Sequence, residues 1–240
     1  MDIRAPYGYR EIVPLTKAHR VVLPAERVAP PALRNLTALP LSCAEFAAAA
    51  HDYPLAFISS DGRNFLAMAI LGLEERQNLF VAADGAWDGS AYLPAYVRRY
   101  PFCMTRVTVS GSEQPERIAC IEKSAISAQG EMLHDAQGNP LPAWEARKKL
   151  LFEFEADLAR TEEMCSVLAG LGVLETFTMQ AMPNAGAPFA MTGMYRVAEQ
   201  KLNDLPAEKL RELAQTGVLA RVYCHLLSLA NFARLLDRRR

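Results

Sequence analysis

From Pro142 onward the apolar positions settle into a helical rhythm. Trp144, Leu151, Phe154, Leu158, Cys165 and Leu168 recur at spacings of three, four and seven, which lines them up on one face of a helix. Glu153, Asp157, Arg160 and Glu163 take the other face, and Gly170 to Gly172 supplies the stop. This Pro142–Leu171 helix is the longest element predicted, and its apolar face is expected to cover a sheet.

Upstream the apolar runs are shorter. Leu55 to Ser59 reads as a strand, Ser60-Asp61-Gly62 as a turn, Phe65 to Leu73 as a second strand and Asn78 to Ala82 as a third. Asp84-Gly85 is a hairpin-type turn signal, because glycine takes positive φ without steric cost. Residues 55–87 are therefore expected to form an antiparallel meander. Phe102 to Ser110 and Arg117 to Ile121 are further strands, with Gly111 to Pro115 as a polar loop between them. Beyond the long helix, Thr176 to Met182 and Phe189 to Val197 flank Pro183 to Pro188 as a hairpin. A helix from Pro206 to Gly217 and another from Val218 to Asp237 close the chain.

The first forty residues hold prolines at 6, 14, 24, 30, 31 and 40, so only short edge strands are expected there, at Glu11–Leu15 and Arg20–Leu23. Ser42-Cys43-Ala44-Glu45 is a capping-box pattern that opens a helix to His51. Pro94 suits the first turn of a short helix ending before Pro101, with Tyr96 and Tyr100 on one side. Taken together this is an α+β chain: a mainly antiparallel sheet covered by C-terminal helices. No internal repeat or low-complexity linker interrupts it, so residues 1–240 are expected to form a single domain.

Charge and cysteine usage then exclude several classes. With 26 basic against 27 acidic residues there is no electrostatic footprint for nucleic acid, and Arg238 to Arg240 reads as a solvated helix end. The longest nearly apolar run, Phe65 to Leu73, is well short of the ~18 residues of a spanning helix, so no transmembrane segment is expected. The N-terminus has no secretory-signal pattern. Five scattered cysteines, an odd number, read as free thiols in a reducing compartment, with Cys43, Cys120, Cys165 and Cys224 largely buried. The cytoplasm is the expected location. With no CxxC and no paired Cys/His spacing, neither a metal nor a cofactor is expected.

The candidate chemistry is sparse. No nucleophile elbow, phosphate loop or dinucleotide fingerprint is present, so no catalytic residue is assigned. Of the histidines His19, His51, His134 and His225, the last sits inside an apolar helix and reads as a core histidine bonded to a backbone carbonyl. Asp84, Trp87 and Asp88 could line a sugar or peptide groove; the plainer reading makes Asp84-Gly85 the hairpin, with Trp87 packed beneath it. Arg98 and Arg99 point about a hundred degrees apart on a short helix, so one can face inward while the other stays solvated. An inward guanidinium keeps its charge and needs a carboxylate or an anionic ligand. An internal salt bridge is the preferred reading. The alternative is recognition of a carboxylate or phosphate, with Tyr96, Tyr100 or Trp87 stacking alongside.

Several stretches resemble the SapC family of bacterial proteins: IVPLTKAHR, HDYPLAF, LGLEERQNLFVAADGAWDGSAYLPAYVRRYPF, LAGLGVLE, TGMYRV and LARVYCHLLSLANFARLL. YLPAYVRRYPF and YCHLLSL are the most specific of them. The family takes its name from a component linked to paracrystalline bacterial surface layers, so the resemblance implies an envelope or surface-layer association. An unrelated peptide-transporter permease shares the name, and the lack of a membrane span sets that reading aside. Two function classes follow. One is a non-catalytic binding or accessory protein for an unknown protein partner or a small anionic ligand, with Arg98, Arg99, Tyr96, Trp87 and His225 as candidate ligand residues. The other is a small-molecule enzyme whose site joins Arg98 or Arg99 with His225.

Overall fold

Prolines keep the first strands short. In the computed structural model, which describes residues 2–109, 112–181 and 189–239, these are β1 (Asp2–Ile3), β2 (Ile12–Pro14), β3 (Arg20–Val21) and β4 (Ala38–Pro40). A helical turn, α1 (Phe46–Ala49), precedes β5 (Leu55–Ile58) and β6 (Leu66–Ile70). The one-turn helix α2 (Ala95–Arg98) leads into the long strands β7 (Phe102–Val109) and β8 (Ser112–Glu122), then the short β9 (Glu131–Met132). Helix α3 (Pro142–Gly170) is followed by β10 (Leu174–Ala181) and β11 (Phe189–Val197). Helices α4 (Glu199–Asn203), α5 (Ala207–Gln215), α6 (Val218–Ser228) and α7 (Asn231–Arg238) complete the chain. All strand pairings among the described residues are antiparallel, and the fold class is α+β.

The chain divides into two units that share its length in alternation. The first takes Met1–Asn35, Val81–Gly89 and Ala95–Ala156; the second takes Leu36–Phe80, Ser90–Pro94 and Asp157–Arg240. The backbone therefore passes from one to the other at 35/36, 80/81, 89/90, 94/95 and 156/157.

The first unit holds a sheet of order β1-β7-β8-β2 and the small pair β3-β9. Phe102 and Ile121 stand opposite each other on β7 and β8, and their face meets Val21, Leu133, Trp144 and Leu151 in a solvent-free cluster. The Trp144 ring lies 4.8 Å from that of Phe102. The first half of α3 thus covers this sheet through the residues its periodicity picked out. Leu151→Ala should cost about 3 kcal/mol as a large-to-small change in a filled core. Leu158→Ala should cost clearly less, and comparing the two urea midpoints checks the assignment. Leu158 was expected on the same buried face but is only half-buried. An apolar repeat near seven drifts around a 3.6-residue helix, so past Phe154 the buried line passes through Thr161, Met164, Cys165 and Leu168.

The second unit is built on a sheet of order β10-β11-β5-β6-β4. Its middle is apolar on both faces, with Leu55, Ala56 and Phe57 of β5 and Ala67 to Ile70 of β6 all buried.

Three expectations are corrected. Residues 78–82 do not add a third strand to β5 and β6. Val81 instead bridges to Trp87 across a tight turn in which Ala82 N–H donates to Ala86 and Gly85 N–H to Ala82. Gly85 is required there: its φ is 92°, and a Cβ would stand 2.2 Å from the Arg34 guanidinium. Residues 112–115, read as part of a loop, belong to β8. The register shifts between Arg106 and Thr108, so residues 114–116 face Val107 as a bulge that tolerates Pro115, which has no N–H to give. The final helix breaks in two at Leu229–Ala230. The Ser228 hydroxyl takes the His225 carbonyl at 2.6 Å, and the following N–H groups of Leu229, Ala230, Phe232 and Ala233 turn to partners three residues back. The loop expected at Pro183 to Pro188 lies outside the described residues.

Candidate functional site

Of the paired arginines, Arg98 is exposed and Arg99 is buried, the division that adjacent positions on one turn allow. Arg99 donates to Glu155 of α3 at 2.9 Å. The other Glu155 oxygen is taken by Arg117 of β8, which is one-third exposed. The Arg99 guanidinium lies 4.2 Å from the Tyr96 ring centroid, 4.9 Å from that of Phe154 and 5.6 Å from that of Tyr9. Its Nε has no hydrogen-bond partner among the described residues, and the ring faces supply the compensating negative potential. Tyr96 in turn donates its hydroxyl to the Tyr7 carbonyl at 2.5 Å, and Tyr9 to that of Phe102 at 2.8 Å. Burial lifts the Tyr96 phenol to about 12 and the Tyr9 phenol well above its usual range, against the pull of Arg99. Both rings are therefore neutral at pH 7, and Glu155 carries the charge that balances Arg99.

Trp87 is buried in the same unit, its backbone N–H donating to Arg27 at 2.7 Å. Arg27 holds a left-handed φ of 55° and reaches the Asp88 carbonyl at 2.6 Å. Asp84 accepts the Ala86 N–H at 2.9 Å, so its carboxylate shapes the turn.

His225 belongs to the second unit and is fully buried. Its Nε2 accepts the Val197 N–H at 3.1 Å, so the proton sits on Nδ1, which donates to the Leu55 carbonyl at 2.9 Å. The register of β11 against β5 pairs Tyr195 with Phe57, which brings Val197 opposite Leu55. The imidazole thus stands where the next ladder bond would form and bridges the two strands. Ser228 and Asn231 continue the device at spacings of three. Ser228 Oγ accepts the Leu55 N–H at 2.9 Å, and Asn231 Nδ2 donates to Ala50 at 2.8 Å and Tyr53 at 3.1 Å. Burial pulls the His225 pKa down to about 4, so the ring is neutral at pH 7. Ser228 and Asn231 were missed from sequence; the H-x-x-S-x-x-N spacing on one helix face was the available signal.

The structure therefore brings Tyr96 and Arg99 together and separates the exposed Arg98 from them by direction. His225 is engaged with backbone groups of its own unit. Among the other histidines, His19 accepts the Thr16 N–H at 3.3 Å, and the backbone carbonyl of His51 accepts from Arg234. His134 lies 6.4 Å from the Trp144 ring. No group of three His, Cys, Asp or Glu side chains among the described residues converges as metal ligands would. The five cysteines are free; Cys43, Cys103, Cys120 and Cys165 are buried, whereas Cys224, expected inside, is only half-buried. Burial pushes the Cys103 and Cys165 thiols up to about 12 and Cys120 to about 11, which keeps them protonated and unreactive. No helix among the described residues is long and apolar enough to cross a membrane.

No curated protein and no solved structure matches the chain. The sequence model of the SapC family does, over residues 17–235 of the 240. That span holds the Arg99–Glu155–Arg117 cluster and the His225 bridge, and with nearly the whole length matched, this chain belongs to the SapC family.

Proposed function

We propose that this SapC-family chain is a non-catalytic binding or accessory protein of the bacterial cell envelope, whose partner is a protein or a small anion. On this reading it works from the cytoplasm, where free thiols stay reduced, and handles envelope or surface-layer components there. Its two units act together as one domain over residues 1–240. The observation that supports this is the use made of the polar groups in the two most specific motifs. His225 has both ring nitrogens bonded to backbone, and Arg99 has its charge balanced by Glu155. Groups committed in this way hold a scaffold.

Arg98 is the member of the pair that a partner reaches from solvent, while Arg99, Tyr96, Trp87 and His225 support the fold. Co-sedimentation of the purified protein with isolated bacterial envelope and surface-layer fractions tests the reading. The protein should be retained, and Arg98→Glu should weaken retention about tenfold, the effect of losing roughly 1.4 kcal/mol at a contact arginine. Retention no greater than that of an unrelated protein of similar charge sinks the envelope reading. Retention that Arg98→Glu leaves intact sinks the role of Arg98.

A further inference from the structure

A half-enclosed cleft of about 220 Å³ opens in the second unit, among the second half of α3, α5 and the first turn of α6. Its apolar lining includes Val167, which is 37% exposed, together with Met164, Leu213 and Val218, each nearly excluded from solvent. Four charged side chains also line it, two of each sign: Arg160, Glu163, Glu212 and Arg221. Two of these are already matched. Arg160 pairs with Asp157 at 2.8 Å and Glu212 with Lys209 at 2.9 Å.

The remaining two, Glu163 on α3 and Arg221 on α6, have no ion-pair partner among the described residues and do not pair with each other. Arg221 is nonetheless held in place. Its Nε donates to the Cys43 carbonyl at 3.2 Å and one terminal nitrogen to the Gly217 carbonyl at 2.7 Å. That second contact depends on Gly217, whose φ is 74° and where a Cβ would stand 2.6 Å from the same nitrogen. Two backbone carbonyls thus fix the guanidinium and leave N–H groups for a ligand, so little rotamer freedom is lost when one binds. The cleft therefore offers one unmatched cation, one unmatched anion and an apolar surface.

We propose that this cleft binds a small aliphatic zwitterion, an amino acid. Its carboxylate meets Arg221, its ammonium meets Glu163, and its side chain lies on Val167, the exposed apolar residue of the lining. The site goes beyond the partner contact assigned to Arg98, which belongs to the other unit.

Calorimetric titration of the full chain with L-leucine, N-acetyl-L-leucine and L-leucinamide separates the contributions. Leucine should bind saturably at millimolar concentration. The acetylated compound lacks the ammonium and the amide lacks the carboxylate, so each should bind at least about tenfold more weakly. Glu163→Gln, at an exposed position that leaves the fold intact, should remove the preference for leucine over N-acetyl-leucine. Arg221→Met should do the same for leucinamide, and the Glu163 variant stands alone if Arg221→Met fails to fold. Arg98→Glu should bind leucine as the wild type does. Three results would each overturn the proposal: no saturable heat with leucine, equal binding of all three compounds, or an unchanged preference in Glu163→Gln.

Discussion

Glu155→Leu is expected to destabilise the protein by about 3–5 kcal/mol, the cost of leaving a buried charge without its counter-ion. Arg99 is 2% exposed and Glu155 10%, so water cannot replace the missing carboxylate. The rings of Tyr96, Phe154 and Tyr9 favour a cation but carry no net charge to neutralise it. For a chain of this size the loss corresponds to a fall in melting temperature of about 10 °C. The double variant Arg99→Met/Glu155→Leu should recover most of it, because two apolar side chains then fill a site that no longer contains a charge. Arg117→Met should cost about 1 kcal/mol or less, since that arginine is 33% exposed and water screens its pairing. A double variant no more stable than Glu155→Leu alone would show that the cluster acts through packing and not through charge.

His225→Leu should cost about 4 kcal/mol. It strands two buried backbone groups, the Leu55 carbonyl and the Val197 N–H, at roughly 1–3 kcal/mol each, and leaves the strand junction open. The same histidine sets a pH dependence. Its folded pKa is about 4 against an ordinary value of 6.5. Between those values the unfolded chain takes up a proton that the fold refuses, so stability rises with pH across the window. The contribution is complete above about pH 6.5 and is lost as pH falls through about 4. At about 1.4 kcal/mol per unit it amounts to some 3 kcal/mol. Urea midpoints of the wild type should fall steeply from neutral pH toward pH 4, whereas His225→Leu should follow a flatter line over the same interval. Parallel profiles would mean that another group titrates.

Much of this was legible in the residues, and the failures have physical causes. The long helix showed itself because Trp144, Leu151 and Phe154 meet the sheet of their own unit at helical spacing. Leu158 was misplaced because the buried face rotates as the helix continues. Strand pairing beyond immediate neighbours was not legible. Residues 78–82 have the composition of a strand, yet Val81 finds its partner only six residues on, at Trp87. Residues 112–115 have the composition of a loop, yet the pairing of β8 with β7 carries them through a bulge. At the candidate site, the directions of Arg98 and Arg99 followed from local geometry. The identity of the partner did not, because Glu155 lies 56 residues away in sequence, and only the packing of the long helix on its sheet brings it to Arg99. The bonding of His225 to backbone was readable in kind. That the ring replaces a ladder bond between two strands needed their register, which no single-chain pattern supplies.

The order of strands in the second unit has a consequence for the protein while it is being made. β4, β5 and β6 all leave the ribosome early, but the strand that covers the other side of β5 is β11. At roughly 5–20 residues per second, synthesis from Ile58 to Phe189 takes on the order of ten seconds. His225 and Ser228, which close the Leu55 end of that strand, are added later still. Throughout this interval the nascent chain carries Leu55–Ile58 as an apolar strand with one unpaired edge, the kind of template on which neighbouring chains on a polysome add strands of their own. Shielding this four-residue edge before β11 arrives should therefore raise the soluble yield during rapid expression.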